Sequence, residues 1–116
     1  MHEPRKPWTP QSRRALREIL SHPSHERAVQ LAASRNAAVR AALAASRETP
    51  IGVLIHLSTD PEPAVRAAVA GNQAVAVSVS TMRRLAHDLD AGVRAALAAN
   101  VFVPAALRDA RESVAV

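Results

Sequence analysis

Apolar positions along this chain recur at helical spacings, three and four residues apart, with charged and small polar residues between them. Leu16, Ile19 and Leu20 form one such stripe and residues 25–34 carry another, which predicts two helices joined near Pro23. Val65, Ala68 and Val69 mark a short helix over residues 64–70. Ahead of it stands Asp60-Pro61-Glu62-Pro63, where the aspartate is placed to cap free amides, Pro63 is tolerated in a first turn, and the acid complements the helix dipole. Gly71 and Asn72 read as the stop, since both tolerate the left-handed conformation that closes a helix. The segments IGVLIHLS at 51–58 and TMRRLAHD at 81–88 have the same spacings and predict further helices. VAVSVSTM, at 75–82, alternates as a strand does. A lone strand among helices has no partner for its backbone groups, so a longer turn leading into a helix is expected there.

One segment occurs three times: AVRAALAAS from Ala38, AVRAAVAGN from Ala64 and GVRAALAAN from Gly92. The match extends both ways. Leu31, Leu57 and Leu85 lie eight residues before the three valines; Ser34, Asp60 and Asp88 follow three residues later, and Arg40, Arg66 and Arg94 six further on. Pro50 and Pro104 share a column that Ala76 fills in the middle copy, and successive copies start 26 and then 28 residues apart. The expected unit is a pair of short helices. The expected organisation is a basic, flexible arm over 1–9 and one helical-repeat domain over 10–116, with N-terminal cap helices at 10–30 and repeats at 31–56, 57–84 and 85–116. ARESVAV, at 110–116, has the composition to start another helix.

Composition sharpens this picture. Of the 116 residues 26 are alanine, the best helix former and a poor strand former, and only Trp8 and Phe102 are aromatic, so the class is all-α with helices in close approach. The absence of cysteine removes disulfides, thiolate metal sites, iron–sulfur clusters and thiol nucleophiles. No run of 18 uncharged apolar residues occurs, and prolines occupy the start of the chain where a signal peptide places its apolar stretch; a cytoplasmic location is the expectation. The net charge of +5 is uneven. Residues 1–47 hold nine basic and three acidic side chains, whereas residues 48–116 hold six and seven.

The columns of leucine, aspartate, proline, valine-arginine, alanines and asparagine, best seen in LSTDPEPAVRAAVAGN from Leu57, resemble the leucine-rich repeat variant family, whose units are HEAT-like. The likeness covers residues 31–110. It implies a right-handed α-solenoid of about three repeats, in which α-helices alternate with shorter, often 3₁₀, helices. Some members of that family carry a cysteine-rich iron–sulfur segment; with no cysteine, none is expected here. HEAT-like repeats also place an aspartate and an arginine six residues on in a ladder of ion pairs and hydrogen bonds between neighbouring repeats. Asp60 with Arg66 and Asp88 with Arg94 have that spacing, and Arg40 stands in the same column. These arginines are expected to be structural rather than ligand contacts.

Candidate function therefore lies elsewhere. Arg13, Arg14, Arg17, Arg27 and Arg35, with Arg5 and Lys6 on the arm, form a basic set able to contact anions or a nucleic-acid backbone. Trp8 reads as a hydrophobic plug on the first helix rather than a stacking platform. His22 and His25 flank Pro23, which interrupts any shared helix face, and no two histidines bracket a glutamate at zincin spacing, so no metal or other cofactor is expected. No nucleophile elbow, P-loop or dinucleotide fingerprint is present, and Gly52, Gly71 and Gly92 read as helix punctuation, so no enzyme is expected. The expected function is a binding or scaffolding module for a protein partner, with self-association possible in principle and nucleic-acid binding through the N-terminal arginines as the alternative.

Overall fold

The computed structural model describes residues 9–108, and those residues are all helical, without a strand. In order they form α1 (Pro10–Leu20), α2 (His25–Ala32), α3 (Ala37–Ala45), α4 (Ile51–Leu57), α5 (Pro63–Ala70), a 3₁₀ helix (Gln73–Val77), α6 (Val79–Ala86), α7 (Ala91–Ala98) and α8 (Ala105–Arg108). None of them is long and apolar enough to cross a membrane. The expected arm over 1–8 with Trp8, and the whole ARESVAV segment, lie outside the described residues. Thr9, the last residue assigned to that arm, belongs to α1: its Oγ1 accepts the Ser12 amide at 3.2 Å as the N-cap.

The three similar segments become α3, α5 and α7, and they pack side by side, α3 along α5 and α5 along α7, with α1 against α3. The second layer runs α2, α4, the 3₁₀ helix and α6, each touching the next, and α8 packs on α6. Between the layers the in-phase columns are buried: Val39, Val65 and Val93; Leu43, Val69 and Leu97; Leu31, Leu57 and Leu85. Each such side chain contributes about 1.5–3 kcal/mol through burial. Thr49, Val75 and Val103 make a further buried column, and Thr49 Oγ1 donates to the Leu43 carbonyl at 2.7 Å. Ala44 and Ala70 are fully buried between adjacent helices of the row, where a larger side chain has no room.

Residues 75–82 form no strand, in line with the expected turn and helix start: the 3₁₀ helix takes Val75 into the core and α6 begins at Val79. Other local expectations change. No glycine is left-handed, and α5 closes through Gly71 at φ −83° and Asn72 at φ −80°; the left-handed residue is His22, at φ 60°, after α1. Gly52 and Gly92 sit inside the first turns of α4 and α7. Asp60 does not cap α5, whose N-cap is Glu62 without a side-chain bond, but accepts the Glu62 amide at 2.9 Å in a turn before the helix. The 30/31 boundary drawn from the sequence falls within α2, which continues to Ala32.

Candidate functional site

Arg40, Arg66 and Arg94 occupy one position on α3, α5 and α7, and each sends Nη1 back to a backbone carbonyl six residues earlier: Ser34 at 2.7 Å, Asp60 at 2.8 Å and Asp88 at 2.5 Å. That contact fixes the guanidinium. Its other edge then faces the next helix of the row. Arg40 Nε donates to Asp60 Oδ2 at 2.7 Å and Nη2 to Oδ1 at 3.2 Å; Arg66 does the same to Asp88 at 2.8 and 3.1 Å. The carboxylate thus pairs with the arginine of the preceding segment, 20 or 22 residues back, while the arginine six residues on takes the carbonyl. The resemblance to HEAT-like repeats implies Asp60 with Arg66 and Asp88 with Arg94. The stacking offset between helices decides the partner.

Both carboxylates are nearly sheathed. Burial opposes the ionisation of Asp60, but the hydrogen bonds from Arg40 and from the Glu62 amide outweigh it and hold the carboxyl below its ordinary value. Asp88 has the same balance, with burial opposed by Arg66 and by the Asp90 amide. These groups are spent on holding α3, α5 and α7 together.

A second set of cross-helix contacts runs at the opposite ends of the same helices. Asn72 Nδ2 donates to the Ala44 and Ser46 carbonyls at 2.7 and 2.9 Å, and Asn100 Nδ2 to the Ala70 and Asn72 carbonyls at 2.9 and 3.1 Å. Each asparagine caps the carboxyl end of the preceding helix, while its Oδ1 accepts the amide two residues on. Sequence reasoning missed this role. The available signal is the in-phase column Ser46, Asn72, Asn100, of which Asn72 reads from the sequence as a helix stop.

The N-terminal arginines separate. Arg27 closes on Glu18 through two hydrogen bonds, at 2.6 and 2.9 Å, and this half-exposed pair lowers the Glu18 pKa. Arg13, Arg14 and Arg17 are exposed on α1, and Arg35 is exposed before α3, beside a cleft of about 240 Å³ shared with Thr9, Gln11 and Ser12; none of the four forms an ion pair among the described residues. On α6, Arg84 Nη2 donates to Ser58 Oγ.

Between α2 and α4 lies an apolar groove of about 330 Å³, lined by Val29, Ala32, Ala33, Gly52 and Val53, with His25 and His56 on its walls. No group of three or more His, Asp or Glu able to hold a metal occurs among the described residues. Comparisons with family models, curated proteins and solved structures find no match to this chain.

Proposed function

We propose that the chain is a non-enzymatic binding or scaffolding module that engages a protein partner, built as a short right-handed α-solenoid of about three HEAT-like, leucine-rich-repeat-variant units under an N-terminal helical cap. The α2/α4 groove is the observation that carries it. Val29 is half exposed there, and Ile51 and Ile55 are exposed on α4, an apolar surface of the kind that a partner covers. The charged groups that could do chemistry, Asp60 and Asp88, are consumed by the arginine contacts, and Asp90 caps α7 through the Val93 amide at 3.0 Å. No cofactor is needed, and the proposed compartment is the cytoplasm.

The test is retention of a stoichiometric companion from native lysate by the immobilised chain and by Val29→Asp. Retention by the parent and loss in the variant is the expected outcome. No companion, or one held equally by both, rejects this use of the groove.

A second function has its own support in Arg13, Arg14, Arg17 and Arg35, which are exposed, form no ion pair among the described residues and suit a phosphate backbone.

A further inference from the structure

Among the described residues, α7 leaves open the positions that α3 and α5 fill against their neighbours. Position by position, α3 presents Ala37, Ala41 and Ala44 to α5, and α5 presents Pro63, Ala67 and Ala70 to α7; all six are at least partly buried. The matching Ala91, Ala95 and Ala98 on α7 are exposed. Arg94 holds the Asp88 carbonyl as Arg40 and Arg66 hold theirs, yet meets no carboxylate among the described residues. No side chain among those residues donates to the carbonyls of Ala98 or Asn100, the positions equivalent to Ala70 and Asn72, which receive Asn100. Among the described residues, two unfilled hydrogen-bonding positions of opposite kind therefore flank one exposed helix: the Arg94 fork, held beside the Asp88 carbonyl ahead of α7, and the carbonyls at its C-terminal end. Leu89 at its start is 98% exposed, and Val101 and Phe102 at its end are also exposed.

We propose that this edge recognises a helix of another protein that presents an aspartate before its first turn and an asparagine twelve residues later, the separation of Asp60 from Asn72 and of Asp88 from Asn100. The proposal rests on the binding-module function and names the chemistry of its partner. The carboxylate lies in the fork of Arg94, the asparagine amide caps the carbonyls of Ala98 and Asn100, and small side chains meet Ala91, Ala95 and Ala98. Forked pairing demands a planar carboxylate at one distance, and the amide fixes the register.

A second copy of this chain does not supply that pair. At the other end of the row α1 carries the exposed Arg13, Arg14 and Arg17, which repel Arg94. Residues 109–116 contain neither asparagine nor glutamine.

The probe is a synthetic peptide with the sequence of residues 85–102, titrated into the full ¹⁵N-labelled chain while the Arg side-chain Nε–H signals and the backbone amides are followed. A short helix must order as it binds, so a dissociation constant on the order of 1 mM is expected. The Arg94 Nε–H and the amides of 98–102 are expected to shift, and peptides carrying Asp88→Asn or Asn100→Ala to bind about tenfold more weakly, the first losing a charge-assisted contact and the second a neutral amide–carbonyl one. Because those changes are in the peptide, the protein's fold is untouched. Shifts that leave Arg94 unmoved, or variant peptides that bind as well as the parent, overturn the proposal. A protein partner held equally by the parent chain and by Arg94→Gln also overturns it, while leaving the binding-module function standing.

Discussion

Arg66 and Asp88 meet across the α5/α7 boundary through two parallel hydrogen bonds, Nε to Oδ2 at 2.8 Å and Nη2 to Oδ1 at 3.1 Å, with both side chains largely buried. Arg94 has the same backbone anchor and no carboxylate among the described residues, so it is an internal control. Arg66→Ala strands the Asp88 carboxylate and is expected to cost about 2 kcal/mol or more, whereas Arg94→Ala is expected to cost well under that. Denaturant unfolding of the two variants measures the difference. Equal costs would mean that the carboxylate contributes nothing.

Stability should fall in acid. Asp60 and Asp88 are held below the ordinary aspartate value of 3.8 in the folded chain, so at neutral pH both are ionised and their pairing is fully present. As pH falls through the ordinary value, the unfolded chain takes up protons first, and stability drains until the folded carboxyls are protonated too. Melting temperature is expected to be flat from pH 7 to about 5 and to drop below about 4. In Asp60→Asn with Asp88→Asn, part of that acid drop is expected to disappear; an undiminished drop would assign it to other groups.

Asn100 is buried, and Asn100→Ala leaves the Ala70 carbonyl without its side-chain donor, at a cost of about 1–3 kcal/mol. Asn100→Asp is expected to be no better, because a carboxylate faces two carbonyl oxygens where an amide donated. An aspartate variant as stable as the parent would contradict the amide's assigned role.

The columns that build the core and the arginine contacts were legible, because a period of 26 to 28 residues brings valine, leucine, aspartate and arginine into phase and close packing of similar helices uses them alike. What was not legible depends on how far one helix is displaced along the next. Asp88 lies six residues from Arg94 in the chain, but the stacking offset delivers it to Arg66. The same offset turns Asn72, read as a stop, into a donor to residues 26 and 28 positions back. His22 was missed as the left-handed residue because composition directs attention to glycine and asparagine. The groove between α2 and α4 was hidden because Val29 and Val53 lie on separate helices whose mutual approach no local pattern encodes.

Gly52 on the floor of that groove has nothing within 4 Å of where a Cβ atom would sit, and it lies in a helix. Gly52→Ala is expected to raise stability by up to about 1 kcal/mol while weakening capture of a partner seated there. A stabilised variant with undiminished capture would place the partner elsewhere.

Should α1 bind a phosphate backbone, affinity for a DNA duplex falls steeply with salt, and Arg13→Ala with Arg14→Ala lowers the logarithmic salt slope by about two. A slope left unchanged by the double substitution removes nucleic acid as the ligand of this face.

Arg40 and Arg66 are structural, each tying its helix of the row to the next. A double-mutant cycle on Arg66 and Asp88, read by equilibrium unfolding, tests this claim most directly. A coupling free energy of about 1 kcal/mol or more is predicted for the Arg66→Ala and Asp88→Ala pair; additivity to within about 0.5 kcal/mol would contradict the claim.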